Sequence, residues 1–135
     1  MRKSKINISG FKIGTAENRE GLTGVTVILA PDGGATAGVD VRGCAPGTRE
    51  TDLLDPRKTV QKIHAVVLSG GSAFGLEAAS GCVKYLAEQG VGFPIGNVCV
   101  PIVCSAVLFD LMIGDEKAYP DLLMGYEAAK SASSE

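Results

Sequence analysis

The chain has 135 residues, 45% of them hydrophobic and 21% charged, with a formal net charge of -2 at pH 7. A length near the usual domain size of roughly 150 residues predicts one domain over residues 1–135, and this composition excludes a disordered or fibrous protein. The slightly acidic balance leaves no cationic surface for nucleic acid or an anionic membrane, so we expect neither partner. The longest apolar stretch, residues 98–109, is too short for a spanning helix and no apolar signal segment follows the N-terminus, which predicts a cytoplasmic protein.

The first half of the chain predicts extended structure and turns. Residues 23–30 are rich in β-branched side chains, residues 31–34 form a strong turn signal, and residues 36–41 resume an extended pattern. This stretch therefore predicts a β-hairpin. Residues 43–56 carry proline, glycine and charged residues without apolar periodicity, which indicates an exposed loop whose charges are solvated.

A buried strand followed by an amphipathic helix is predicted in the middle of the chain. Residues 63–68 are a short apolar run that ends at a Ser-Gly-Gly-Ser turn. Residues 73–89 place apolar side chains on one helical face and polar side chains on the other. Ser72 suits the N-cap of this helix, and Gly90 suits the position just past its end.

The last third of the chain predicts a loop, an apolar strand and a final helix. Closely spaced glycine and proline indicate a loop over residues 91–97. Residues 98–111 fit one buried strand kinked at Pro101 and followed by a short turn or helix, an ambiguity that periodicity does not resolve. Residues 120–131 begin with a proline suited to a first helical position and carry an apolar stripe, so they predict a helix. The small, polar residues 131–135 are typical of a frayed tail or of the start of a linker.

The cysteines fit neither a metal site nor a disulfide framework. Cys44, Cys82, Cys99 and Cys104 include no Cys-x-x-Cys pair, and the single histidine, His64, has no ligand partner near it in sequence. We therefore expect buried, reduced thiols, no bound metal and no organic cofactor.

The SGGSAFG segment, residues 69–75, lies between the predicted strand and the predicted helix. Backbone N–H groups and the helix dipole at such a turn stabilise an oxyanion or a carboxylate, so Gly70, Gly71, Ser72 and Gly75 are candidate binding residues. The segment is neither a Walker loop nor a complete Gly-x-Gly-x-x-Gly fingerprint, and a tight strand-to-helix turn uses the same glycines. A binding turn and a purely structural turn both stay open at this point.

Two polar residues near this turn have structural interpretations that we favour. Ser72 as a nucleophile needs a base within hydrogen-bond reach, and His64 lies about one strand length away, so we expect His64 to be structural. Asp110 follows an apolar run and is either a partly buried carboxylate or, as we favour, a cap for the residues after it.

Four motifs follow one another along the chain: GLTGVTV at 21–27, VDVRG at 39–43, LSGGSAFGLEAA at 68–79 and VPIVCSAVLFDL at 100–111. Their order resembles the L-aminopeptidase/D-esterase family, which also contains the 6-aminohexanoate-oligomer (nylon oligomer) hydrolases. The resemblance implies an α+β layered fold, an αββα sandwich of N-terminal-nucleophile-hydrolase type, of which this chain is the N-terminal part. In such a fold a precursor cuts itself into two chains, and the new N-terminal Ser or Thr of the second chain is the nucleophile.

The resemblance also bears on the candidate residues. The Gly-Gly turn borders the active site in the family, so the resemblance assigns Gly70, Gly71, Ser72 and Gly75 to substrate binding. It places Phe109 there as well, where the aminopeptidase and nylon-hydrolase members have a tyrosine whose hydroxyl helps to hold the oxyanion. Phe109 cannot donate that hydrogen bond, so another donor replaces it or the activity differs; losing one such donor costs roughly 2.7 to 4 kcal/mol in kcat.

Members of the family continue beyond this length, with a Gly-rich segment bearing a lysine, an oxyanion-hole asparagine and the Ser/Thr nucleophile. None of these lies in residues 1–135, so we expect a truncated, nicked or split first chain that has no catalytic residue and is inactive alone. The implied partner is a second chain or C-terminal segment carrying the nucleophile, and the implied substrate is a small peptide or amide. The α-amine of that nucleophile, with a pKa near 8, serves as base without a histidine.

Two other functions stay open. One is a non-catalytic binding or assembly module that keeps the fold without the chemistry, which the phenylalanine at 109 favours; the other is nucleotide binding at the glycine turn. Part of a layered fold leaves apolar surface such as residues 98–109 uncovered, so we expect a second chain or a homo-oligomer to cover it.

Overall fold

The computed structural model describes residues 8–134, which form a mixed α/β fold. The strands and helices in chain order are β1 (Lys12–Asn18), β2 (Thr23–Leu29), β3 (Thr48–Arg49), β4 (Ala65–Ser69), α1 (Ala78–Glu88), β5 (Phe93–Ile95), β6 (Val98–Val100), β7 (Val103–Val107) and α2 (Leu122–Lys130). Two short 3₁₀ segments, Asp52–Leu54 and Ser72–Glu77, accompany them. Within residues 8–134, no helix is long and apolar enough to cross a membrane.

Five strands form the main sheet, in the order β1-β2-β4-β7-β3. All neighbours are antiparallel except β4 and β7, which run parallel. The chain passes from β4 to β7 through α1 and the β5-β6 hairpin, because parallel neighbours cannot be joined by a tight turn. The predicted mixture of helices and strands is confirmed. Residues 8–134 contain one main sheet with helices on one face, so the four-layer sandwich stays a prediction.

Alternation along the central strands explains why one face of the sheet is buried. Val25, Val27 and Leu29 of β2 are at most 8% exposed, and Val67 and Ala65 of β4 are the register partners of the last two. Helix α2 packs against β1 and β2, and α1 packs against β4 and β7. The helices contribute small and apolar side chains to this core: Ala78, Ala79, Cys82, Leu86, Ala128 and Ala129.

The opposite face of the same strands is more open. Thr26 is paired with Leu68, and Ile28 with Val66, on the side of the sheet away from the helical core. Leu68 is 47% exposed although it lies in a central strand. An apolar side chain so exposed in the middle of a sheet marks a surface on which another layer can pack.

The predicted N-terminal hairpin is wrong in its partner. Strand β2 pairs with the preceding β1, and residues 36–41 form no strand. Residues 31–34 do turn, with Gly33 and Gly34 at φ 82° and 80°. The chain cannot pair again with β2 after this turn, because β1 and β4 already occupy both edges of that strand.

The predicted strand and helix in the middle of the chain are confirmed, with a change where the helix begins. Strand β4 lies within two residues of the predicted 63–68, and Gly90 lies just past α1 with a left-handed φ of 68°. The N-cap prediction at Ser72 is wrong, since Ser72 lies inside a 3₁₀ turn whose N-cap is Gly71. The α-helix proper begins six residues later, at Ala78.

The apolar segment after α1 is two strands in two different sheets. Residues 91–97, predicted as a loop, contain β5, which pairs with β6 in an exposed hairpin. Pro101 follows β6 and has no N–H to donate to a neighbouring strand, so β6 ends there. The chain then joins the main sheet as β7. Residues 98–111 are therefore not one buried strand.

Helix α2 begins later than predicted, and the segment after it is held. Asp121 is the N-cap, and its carboxylate accepts a hydrogen bond from the Met124 amide at 2.8 Å. Pro120 precedes the cap instead of occupying the first helical position. The predicted frayed tail is wrong at Ser133, whose backbone exchanges two hydrogen bonds with Ile13 of β1, at 2.8 and 3.0 Å.

Candidate functional site

The candidate site lies where the parallel strands β4 and β7 both end. The carboxyl ends of parallel strands meet at one edge of a sheet, which is where α/β proteins commonly place ligands. The Leu108 amide donates to the Ser69 carbonyl at 3.0 Å, and the Ser72 amide donates to the Leu108 carbonyl at 3.0 Å. The pairing thus continues past both strands, and it brings the glycine turn beside Phe109.

The glycines of this turn are required by the atoms around them. A Cβ at Gly70 would overlap the carboxylate of Asp110 and the hydroxyl of Thr23, and a Cβ at Gly75 would overlap the carbonyl oxygen of Gly70. Gly71 has a φ of 80°, which glycine adopts without steric cost. The structure therefore explains each glycine by local packing, without reference to a ligand.

The backbone amides of the turn are engaged within the chain. We expected these N–H groups to be free to hold an oxyanion or a carboxylate, and that expectation is wrong for all four candidate residues. Their hydrogen bonds are Gly70 to the Gly24 carbonyl at 2.9 Å, Gly71 to Asp110 Oδ1 at 2.6 Å, Ser72 to the Leu108 carbonyl at 3.0 Å, and Gly75 to the Gly71 carbonyl at 3.4 Å. A ligand at this turn must therefore contact side chains, carbonyl oxygens or other donors.

Asp110 has a different role from the one predicted from the sequence. Its Oδ1 accepts from the Gly71 amide at 2.6 Å, and its Oδ2 accepts from the Thr23 hydroxyl at 2.8 Å. The preferred interpretation of Asp110 as a cap for the residues after it is wrong; the Ile113 amide bonds to its backbone carbonyl instead. Hydrogen bonds to a charged acceptor each contribute about 1.5 to 3 kcal/mol, so this carboxylate holds three segments together.

Ser72 has no histidine base beside it. His64 precedes β4 and Ser72 follows it, so the strand separates the two residues. His64 is 6% exposed, and its Nδ1 accepts a hydrogen bond from the Ile102 amide at 3.0 Å. Burial lowers the pKa of His64 below its ordinary value. The structural role predicted for His64 is confirmed.

Aromatic side chains stand around the turn. The rings of Phe74 and Tyr119 are stacked, with centroids 4.7 Å apart and planes inclined by 18°. Gly71 leaves room for Tyr119, because a Cβ at Gly71 would come within 2.5 Å of the Cβ of Tyr119. Phe109 is 64% exposed. Sequence reasoning missed Tyr119, because its packing against Gly71 links segments far apart in the chain.

A broad groove of about 650 Å³ opens beside the turn. Thr23, Gly70, Leu108, Asp110 and Ile113 line one part of it, and residues of β1 and β2 line the rest. The structure thus places Gly70 and Asp110 at the groove wall.

Two of the four cysteines differ from the prediction. Cys82 and Cys104 are buried as expected, whereas Cys44 and Cys99 are exposed. Burial raises the pKa of the Cys82 thiol to about 12, and it raises that of Cys104 as well. Within residues 8–134, no group of three or more His, Cys, Asp or Glu side chains is placed to hold a metal ion.

The predicted loop over residues 43–56 contributes an edge strand to the main sheet. Arg49 of β3 is half-buried and donates from Nη1 to Ser80 Oγ of α1 at 2.7 Å, so it is not a solvated charge. Asp55 and Arg57 form an exposed ion pair at 2.6 Å, which agrees with the prediction for that part of the loop.

Comparison with known proteins matches the chain to a peptidase family and to relatives named as hydrolases. Residues 5–135 match the family described as Peptidase family S58. An uncharacterized aminopeptidase of Mycobacterium leprae is 50% identical over 109 residues, which are 81% of this chain and 30% of that protein. A 6-aminohexanoate-oligomer endohydrolase of Kocuria sp. is 34% identical over 128 residues, which are 95% of this chain and 33% of that protein. The chain thus spans about a third of the length of these relatives and corresponds to their N-terminal portion.

A solved structure shares the fold at lower sequence similarity. The ornithine acetyltransferase of Mycobacterium tuberculosis, solved as a complex with ornithine, has a TM-score of 0.55 and 17% sequence identity to this chain. The match covers 94% of this chain and 69% of that one. It shows a similar fold and carries no statement about substrate.

Proposed function

The chain belongs to peptidase family S58, and we propose that it is the N-terminal segment of a self-processing amide or peptide hydrolase. The observation that carries the proposal is the family match over residues 5–135. Relatives named aminopeptidase and 6-aminohexanoate-oligomer endohydrolase support the hydrolase class. The substrate that we propose is a small peptide or amide.

The nucleophile in this proposal comes from outside the described chain. A hydroxyl nucleophile needs an adjacent base, and His64 is unsuited to that role because it lies beyond β4 from Ser72 and Ile102 engages its Nδ1. We propose that a second segment begins with Ser or Thr after self-cleavage. Its free α-amine, with a pKa near 8, then takes the proton of its own hydroxyl.

This chain contributes part of the substrate-binding wall. Gly70, Gly71, Ser72, Gly75 and Phe109 are proposed to border the substrate at the ends of β4 and β7. Because the amides of Gly70, Gly71, Ser72 and Gly75 have partners within the chain and Phe109 has no hydroxyl, we assign the oxyanion donors to the second segment. The contribution of the turn is then shape and position.

Within residues 8–134, one face of the main sheet is not covered by the helices and has room for a second sheet. Leu68 and Val66 lie on the side away from the helices, and Leu68 is 47% exposed. We propose that a second sheet, from the segment that carries the nucleophile, covers this face and completes an αββα sandwich. Association of several copies, in the cytoplasm, belongs to the same proposal.

A non-catalytic binding or assembly module is the second candidate, and Phe109 favours it. Without a hydroxyl at this position, a donor that the resemblance assigns to the reaction is missing. Loss of one oxyanion donor costs roughly 2.7 to 4 kcal/mol in kcat, so a protein without a replacement donor would retain little activity.

The test is intact-mass spectrometry with N-terminal sequencing of the protein expressed from its natural reading frame, including any sequence that follows residue 135. A second polypeptide that begins with Ser or Thr, together with hydrolysis of amino-acid anilides or 6-aminohexanoate oligomers, supports the proposal. The control is the variant in which that Ser or Thr is replaced by Ala, which abolishes both cleavage and turnover. An uncleaved, inactive protein favours the binding module.

A further inference from the structure

We infer that Asp110 is a positioning residue that sets the geometry of the Gly70-Gly71-Ser72 turn for the hydrolysis proposed above. The inference rests on that proposed function. It concerns a residue that lies next to Phe109 and makes no contact predicted from the sequence.

The carboxylate joins three segments that are distant in the chain. Its two oxygens accept from the Gly71 amide and from the Thr23 hydroxyl, at 2.6 and 2.8 Å, over sequence separations of 39 and 87 residues. The Asp110 carboxylate and the Thr23 hydroxyl also occupy the space that a Cβ on Gly70 would need. The start of β2, the turn after β4 and the segment after β7 therefore meet at one carboxylate.

The turn needs such a partner because the backbone of Ser72 is strained. Gly71 and Ser72 are consecutive residues with left-handed φ values of 80° and 53°. Serine adopts this region at a cost that glycine avoids, so the surrounding contacts must hold it there. The hydrogen bond from the Gly71 amide to Asp110 fixes the backbone of the residue directly before Ser72.

Removal of the carboxylate is expected to alter the turn without unfolding the sheet. The backbone bonds between Leu108 and both Ser69 and Ser72 tie the strand ends together independently of Asp110. The main core, between the sheet and the two helices, does not include Asp110. Asp110 is only half-buried and lies at the groove wall, so the effect is expected at the site.

The test compares Asp110→Ala with a matched carboxylate variant in the complete protein. Asp55→Ala is the control, because Asp55 also accepts a hydrogen bond from a backbone amide, that of Arg57 at 2.9 Å, in the loop after β3. We expect Asp110→Ala to lower kcat by about 100-fold, the scale of a displacement near 1 Å, with a smaller change in KM. We expect Asp55→Ala to leave both constants within about twofold, since the hydrogen bonds of its carboxylate are confined to that loop.

The conservative variant and hydrogen exchange separate positioning from folding. Asp110→Asn keeps an oxygen that accepts from the Gly71 amide and an NH₂ that donates to Thr23, so we expect it to restore most of kcat. Amide exchange at Gly71 should accelerate at least tenfold in Asp110→Ala while exchange in β4 and β7 stays slow.

Two results overturn the inference. One is unchanged exchange at Gly71 in Asp110→Ala; the other is faster exchange with kcat unchanged. Absence of turnover in the unaltered protein contradicts the proposed function instead, and Gly71 exchange then decides by itself whether Asp110 sets the turn.

Discussion

Gly81 of α1 lies against Gly125 of α2 where the two helices cross. A Cβ built on Gly81 would overlap the carbonyl oxygen of Leu122, and a Cβ built on Gly125 would overlap that of Ala78. The helices therefore approach to backbone contact, which places Ala78 and Ala128 in the common core. This close crossing holds α1 over β4 and β7, whose ends carry the candidate site.

Replacement of Gly81 by Ala should destabilise the protein although alanine favours helix. The gain in helix propensity is about 1 kcal/mol, whereas overpacking against backbone atoms costs typically 1 to 3 kcal/mol and more where nothing can move. We expect a net loss of unfolding free energy in urea denaturation. Gly38→Ala is the control, since a Cβ at Gly38 meets no atom within 4 Å. Equal stability of the two variants would contradict the crossing geometry.

Replacement of Ser105 by Ala should stabilise the protein. Ser105 is 3% exposed, and its Oγ has no hydrogen-bond partner among the described residues. A buried polar atom without a partner costs about 1 to 3 kcal/mol, so its removal should raise the unfolding free energy by up to that amount. Ser69→Ala is the matched control on the neighbouring strand, because the Ser69 hydroxyl donates to the Gly70 carbonyl at 3.0 Å. Ser69→Ala should lower the unfolding free energy. If Ser105→Ala also lowers it, the prediction that the Ser105 hydroxyl is unpaired is wrong.

Stability should fall as the pH is lowered from 7 towards 5, in part through His64. Burial lowers the pKa of His64 in the folded chain, whereas in the unfolded chain it is about 6.5. Below that pH the unfolded state binds the proton first, so unfolding takes up a proton and acid favours it. The loss stops growing once the pH passes below the folded-state pKa.

The measurement for His64 is urea denaturation at several pH values, with His64→Asn as the comparison. Asparagine offers an oxygen near the position of Nδ1 that can still accept from the Ile102 amide, and it does not titrate. The slope of stability against pH between 7 and 5 should be smaller in this variant. An unchanged slope would assign the acid sensitivity to other groups.

Two thiols should react readily in the folded protein and two should not. Cys44 and Cys99 are exposed, whereas burial raises the pKa of Cys82 to about 12 and also raises that of Cys104. The thiolate is the reactive form, so burial and a raised pKa both slow the reaction of Cys82 and Cys104. Alkylation with iodoacetamide followed by peptide mass mapping should label Cys44 and Cys99 first. Urea should make all four equal, and early labelling of Cys82 would contradict the core packing.

The middle of the chain was predictable because its pattern is local. Helix α1 follows from apolar side chains repeating every three to four residues, and Gly90 ends it by adopting a φ of 68°. The first turn of that helix was not predictable, because Gly71 and Ser72 take left-handed angles that depend on contacts with Asp110 and Leu108.

The N-terminal strands show the limit of pattern reasoning. Strand β1 (KIGTAEN) contains two β-branched residues and a glycine, so its composition gives little strand signal. It becomes a strand because β2 offers it a free edge and because Gly14 lets the Ala128 carbonyl of α2 approach. Pairing partners are set by which edges remain free, and no single segment carries that information.

The sequence by itself determined the family, the strand-turn-helix unit and the glycine positions beside Phe109, because motif order, periodicity and turn chemistry are local properties of the chain. Only the tertiary structure decided that the turn amides are engaged, and that Asp110 binds Gly71 and Thr23 instead of capping its own segment. A carboxylate can accept from any nearby donor. Its partners 39 and 87 residues away become neighbours only when β2, β4 and β7 lie side by side in the sheet.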